Sequence, residues 1–119
     1  MKVTEILKQD KPTISFEVFP PKKDTDFADV EAAATSIAEL NPSYMSVTYG
    51  AGGGTKGLTI KLAEGIQSKY NVPTIAHLTC VCADKMGISQ ALEDMKAAGI
   101  KNILALRGDI PKDYAGEIF

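Results

Sequence analysis

The sequence predicts an α/β protein in which four strands lie parallel and helices connect them. Three observations lead there. Short β-branched and apolar runs alternate with longer runs whose apolar residues recur every three or four positions; Pro, Asn and Gly punctuate the junctions; and the connections are short. Repeated strand-helix-strand units produce a parallel sheet with right-handed helical crossovers. At 119 residues the chain has room for one domain, taken as residues 1–119.

Residues 4–9 read as a short leading helix, which Lys11 and Pro12 break. TISFEVF, residues 13–19, is strongly strand-like, and Pro20 and Pro21 end it. Asp24 or Thr25 can cap the next helix, whose apolar face carries Phe27, Val30, Ala34, Ile37 and Leu40. Asn41 and Pro42 stop it, and YMSVTY, residues 44–49, forms a second strand running directly into the glycine-rich GAGGG. Leu58, Leu62, Ile66 and Tyr70 then recur at a helical interval, in a helix that ends before Asn71 and Pro73. A third strand covers residues 74–78. Ile88, Ala91, Leu92, Met95 and Ala98 mark a further helix, and Gly99 stands where a left-handed residue closes one. NILAL, residues 102–106, is the fourth strand. This alternation fits both an open doubly wound sheet and half of a closed eight-stranded barrel.

Composition narrows the function classes. Apolar residues at 45% and charged residues at 24% describe a globular protein with a real core. Thirteen Lys and Arg against fifteen Asp and Glu give a net charge of -2, too little positive field to hold nucleic acid. No apolar run approaches the roughly 20 residues of a membrane helix. The N-terminal MKVTEILKQDKPT has no apolar signal core, so a cytoplasmic protein without a membrane partner is expected. Cys80 and Cys82, in TCVC, project to opposite sides of an extended segment and read as two reduced thiols. His77 is the only histidine, and no metal site is expected.

The polar residues hardest to explain structurally lie in or just after strands, at the sheet edge where parallel α/β folds bind ligands. Glu17 falls inside the first strand, Thr48 and Tyr49 end the second, His77 ends the third, and Arg107 and Asp109 follow the fourth. Between Phe16 and Val18, Glu17 reads as partly enclosed by apolar groups. Such desolvation disfavours a charged carboxylate, the condition a general acid needs near neutral pH. The plainer alternative is an ion pair with a basic residue such as Arg107. GAGGGTK resembles a phosphate loop but places Thr55 before Lys56, the reverse of a Walker motif, and suits a mobile active-site loop better. His77 is suited to a cofactor hydrogen bond or to a structural one. Arg107-Gly108-Asp109 combines a cation, close backbone access and an acceptor, useful for an anionic or heteroaromatic ligand.

Four ordered motifs, SFEVFPPK at 15–22, VTYGAGGGT at 47–55, AHLTC at 76–80 and ALRGD at 105–109, together resemble bacterial methylenetetrahydrofolate reductase. The resemblance covers nearly the whole chain but only the N-terminal half of that family's catalytic domain, a flavin-binding eight-stranded β/α (TIM) barrel. It therefore implies a half barrel of about four β/α units. The implied reaction is reduction of 5,10-methylenetetrahydrofolate to 5-methyltetrahydrofolate, with NADH or NADPH reducing bound FAD and the flavin passing hydride to the folate substrate. Glu17 matches the acid that protonates the folate nitrogen. Thr48, His77, Arg107 and Gly108 match cofactor-binding positions, and Asp109 matches the acidic residue beside both flavin and pterin. One-carbon metabolism and methionine supply follow from the same resemblance.

Two departures are mild: Val18 stands where many relatives carry an aromatic, and GGGTK replaces a more usual Gly-Gly-Ser-Thr-Arg. The larger departure is the absence of the family's later strands, which leaves two parallel edges and an open interior to be covered. A homo-oligomer is expected on that ground, and a noncatalytic half barrel paired with another chain is the alternative reading. A doubly wound domain binding a phosphorylated ligand through the glycine loop is a third.

Overall fold

A computed structural model describes residues 1–50, 56–113 and 116. The segment expected to form the glycine-rich loop, residues 51–55, lies outside the described residues. The elements follow in the order α1 (Val3–Leu7), β1 (Ser15–Val18), a 3-10 turn (Asp24–Asp26), α2 (Phe27–Ala38), β2 (Tyr44–Val47), α3 (Lys56–Tyr70), β3 (Thr74–Thr79), α4 (Lys85–Ala97) and β4 (Asn102–Leu106). All four strands are parallel, in the spatial order β1-β2-β3-β4.

That order decides between the two architectures. Right-handed crossovers between consecutive neighbours put every connecting helix on one side of the sheet, as in a barrel, whereas a doubly wound sheet reverses direction and covers both sides. Burial follows. Met45 and Val47 on β2 and Thr74, Ala76 and Leu78 on β3 are buried on the helix side. They join Phe27, Ala34 and Ala38 of α2, Leu62, Ala63 and Ile66 of α3, and Ala91 and Met95 of α4, in a core that also buries the polar Thr59 and Thr74. The alternate residues Glu17, Ser46, Ile75, His77 and Leu104 share the opposite side, which is open. The architecture is a half TIM barrel, and the doubly wound phosphate-binding reading is set aside.

The helix ends show why the sequence breaks where it does. Asn41, Asn71 and Gly99 all adopt positive φ, at 53°, 55° and 76°, the left-handed turn that releases the chain toward the next strand. Asp84 caps α4 by accepting from the backbone N–H of Gly87 at 2.7 Å. At α2 the N-cap position falls one or two residues later than expected: Asp24 and Thr25 lie in the 3-10 turn, and Asp26 occupies the N-cap position without a side-chain cap bond. The expected apolar face of α2 also ends early. The helix stops at Ala38, and Leu40, 69% exposed, points to solvent. Leu92 is likewise exposed on α4.

At the N-terminal end of the sheet, α1 buries Val3 and Ile6. The backbone N–H of Val3 donates to Oδ1 of Asn102 at 2.9 Å, tying this helix to the start of β4. Among the described residues, no helix is long and apolar enough to cross a membrane.

Candidate functional site

Register brings the first cluster together. β1 pairs with β2 so that Glu17 faces Ser46, and β2 pairs with β3 so that Ser46 faces Ile75, one side-chain row below His77. The Ser46 hydroxyl donates to Oε1 of Glu17 at 2.8 Å, and Nε2 of His77 stands 3.2 Å from the same oxygen. The imidazole is only 12% exposed, whereas the carboxylate is 47% exposed.

Three readings of the sequence are corrected here. The apolar enclosure of Glu17 is absent, because strand alternation turns Phe16 and Val18 to the opposite side of β1 and leaves the carboxylate on the open face. His77 lies inside β3, which continues to Thr79. Nor does Arg107 pair with Glu17: its Nε donates to the carbonyl of Gly108 at 3.1 Å. Ser46 escaped the sequence reading because its relation to Glu17 exists only through register. Its signal was position, two residues before Thr48 and therefore on the same strand face.

The second cluster sits at the C-terminal ends of β3 and β4. Backbone N–H groups of Cys80 and Val81 donate to the carbonyls of Leu106 and Arg107, at 3.0 and 2.8 Å, and carry the pairing past the strand ends. Gly108 follows with φ 85°, and a Cβ there would lie 2.7 Å from Cγ1 of Val81 and 2.8 Å from Cβ of Thr79. Only glycine fits this close approach. Tyr49, Thr79, Leu106, Arg107, Gly108 and Asp109 line a cleft of about 400 Å³ beside it. Burial pushes the Tyr49 phenol above its ordinary titration range. Arg107 and Asp109 are exposed at the rim.

Thr48, just after β2, is held through its backbone. Its N–H donates to the carbonyl of Val18 at 3.1 Å, and its carbonyl accepts from the buried hydroxyl of Thr59 at 2.9 Å. A larger hollow of about 660 Å³ opens at the opposite end of the sheet, beside Lys11, Ser43, Pro73 and Lys101, and contains none of the candidate residues. Both cysteines are free thiols. Among the described residues, no three His, Cys, Asp or Glu side chains converge to hold a metal.

The cleft has the character of a cofactor cradle. Among the described residues the buried Oγ1 of Thr79 has no hydrogen-bond partner, an unused polar group in the wall of the cleft. Gly108 supplies backbone close to the floor, and Arg107 and Asp109 offer opposite charges at the rim. These residues fit a polar, anionic, heteroaromatic group such as a flavin nucleotide.

Comparison with known proteins shows the family. A family model described as methylenetetrahydrofolate reductase matches residues 2–117. Methylenetetrahydrofolate reductase (NADH) 1 of Arabidopsis thaliana is 36% identical over 110 residues, covering 92% of this chain and 19% of the plant protein. Methylenetetrahydrofolate reductase 2 of Schizosaccharomyces pombe is 42% identical over 98 residues, 82% of this chain and 15% of the yeast protein. The 5,10-methylenetetrahydrofolate reductase of Buchnera aphidicola is 36% identical over 111 residues, 92% of this chain and 38% of the bacterial protein. The chain thus spans well under half the length of these curated relatives. With its four motifs distributed along a half TIM barrel and a family match over nearly its whole length, the chain belongs to the methylenetetrahydrofolate reductase family.

Proposed function

We propose that this chain forms the N-terminal part of a reductase that converts 5,10-methylenetetrahydrofolate to 5-methyltetrahydrofolate with FAD and NAD(P)H. The observation that carries the proposal is the arrangement of the open face. It holds one carboxylate, Glu17, oriented by Ser46 and His77, on the sheet that also ends in the Arg107-Gly108-Asp109 cleft.

In this reading Glu17 delivers a proton to the folate nitrogen as the five-membered ring opens, a task for a group that is accessible yet held in place. Asp109 is given the place beside both cofactor and pterin. Thr48, His77, Arg107 and Gly108 hold the cofactor, Gly108 through its exposed backbone and Arg107 through its cation. Bound FAD supplies the two-electron relay between the nicotinamide and the folate. The exposed Ile103, Leu104 and Leu106 of β4 support a homo-oligomeric or otherwise completed assembly, and the same reading has it work in the cytoplasm. That exposed strand also favours the second reading, a noncatalytic half barrel paired with another chain.

The test is an anaerobic two-stage assay on a reductase that carries this segment within a complete barrel. NADH or NADPH should bleach the retained flavin, and methylenetetrahydrofolate should restore its colour with 5-methyltetrahydrofolate as product. A protein that retains no flavin, or whose reduced flavin is not reoxidised by the folate, contradicts the proposal and favours the second reading.

A further inference from the structure

Phe19 stands apart from the other phenylalanines of the strand and helix layers. It is 65% exposed, against 37% for Phe16 and 7% for Phe27, and takes no part in the core. Its place in the chain fixes which side of the sheet it joins. Val18, the last residue of β1, is buried on the helix side, and its carbonyl accepts from the N–H of Thr48, so the pairing with β2 is carried to the strand end. Pro20 follows Phe19, and a residue before proline is confined to extended backbone. Strand alternation therefore continues for one more residue and puts Phe19 on the side of Glu17. Continuing the pairing of Glu17 with Ser46 by one row sets it beside Thr48. At about 3.3 Å per residue, that row lies roughly 6.6 Å beyond the carboxylate, toward the ligand-binding edge of the sheet.

Resting on the folate reduction proposed above, we propose that Phe19 is a substrate-binding residue, whose ring packs against a planar ring of the folate while the nitrogen to be protonated lies at Glu17. The structure of the substrate suits that spacing. Its one-carbon unit bridges two nitrogens, with the pterin on one side and an aryl ring on the other, so a nitrogen held at the carboxylate brings a planar ring close to it. Aromatic rings pack with centroids about 4.5–7 Å apart, a separation that a side chain one row from Glu17 can span. The platform is stiff, because Pro20 and the buried Pro21 restrict the backbone directly behind the ring. Covering so exposed a ring also removes apolar surface from water, a gain that the substrate collects on binding. Packing of the ring against the remainder of a complete barrel is the competing use, and it has different consequences.

The experiment uses a complete reductase carrying this segment, with Phe19→Leu, which keeps an apolar side chain without a ring, and Phe19→Tyr, which keeps the ring. Rapid-mixing measurements follow flavin reduction by NAD(P)H and reoxidation of the reduced flavin by 5,10-methylenetetrahydrofolate. Phe19→Leu should raise the folate concentration for half-maximal reoxidation by about 3–10-fold and leave the maximal rate near that of the unchanged enzyme. Phe19→Tyr should restore the lower concentration, and flavin reduction and melting temperature should be the same in all three proteins. An unchanged half-maximal concentration in Phe19→Leu overturns the platform, as does a rise that Phe19→Tyr shares. A lower melting temperature with equal loss in both half-reactions assigns the ring to packing and overturns it too. The underlying reading fails by another readout: an unchanged enzyme whose reduced flavin is not reoxidised by the folate overturns that reading, and the platform with it.

Discussion

The two faces of this sheet are cut from the same four strands by alternate residues, yet their physical situations are opposite. On the helix side Met45, Val47 and Ala76 have no exposure at all, and three helices cover them. On the open side Glu17 and Leu104 are exposed, Ser46 and His77 are half-buried, and the polar contacts are made across strands. Stability therefore resides on one face, and the proposed chemistry on the other. A substitution should affect fold or function according to the parity of its position along the strand, not its distance along the chain.

The largest effect is expected where packing is tightest. Met45→Ala should destabilise the protein by about 2–5 kcal/mol, read as a fall in the urea midpoint. A loss below about 1 kcal/mol would break the comparison, because it would mean that the helix face is not close-packed. Gly108→Ala comes next. Its positive φ and the 2.7 Å approach to Val81 predict a cost of about 1–3 kcal/mol together with weaker FAD retention on gel filtration of the assembled reductase. Unchanged flavin retention would detach the cleft from the cofactor.

Thr79→Val sharpens the same contrast with the smallest shift. It replaces a buried hydroxyl that has no partner among the described residues by an isosteric methyl, so stability should stay level or rise by up to about 1 kcal/mol in a thermal melt. Flavin affinity should fall if that hydroxyl is held in reserve for the cofactor. A clear loss of stability would mean that the hydroxyl is already satisfied in the folded protein.

Much of the fold was legible because helix and strand periods are local properties of the sequence. The Asn41, Asn71 and Gly99 closures, the spacing of Leu62, Ile66 and Met95, and the four strand positions follow from residue chemistry over a few neighbours. Errors arose where the deciding contact was distant. Leu40 kept the helical interval of α2, but the helix had already ended, so periodicity alone assigned it to the core. Asn102 anchors α1 across 99 residues, which no local pattern reports.

The candidate site divides in the same way. Its members at the C-terminal ends of strands were legible, since a parallel sheet gathers those ends on one edge. Their pairing was not. Glu17 was read through Phe16 and Val18, its neighbours in sequence, although a strand sends adjacent side chains to opposite faces. Its real neighbours, Ser46 and His77, lie on other strands and are reached through register.

The most direct test of the account is Glu17→Gln in a complete reductase carrying this segment, followed through melting, flavin reduction by NAD(P)H and flavin reoxidation by methylenetetrahydrofolate. An open-face carboxylate that acts only as the acid predicts an unchanged melting temperature and unchanged flavin reduction, with folate reduction slowed by about 10²–10⁴-fold. Equal loss of both half-reactions, or a drop in melting temperature like that of Met45→Ala, would contradict it and return Glu17 to a structural role.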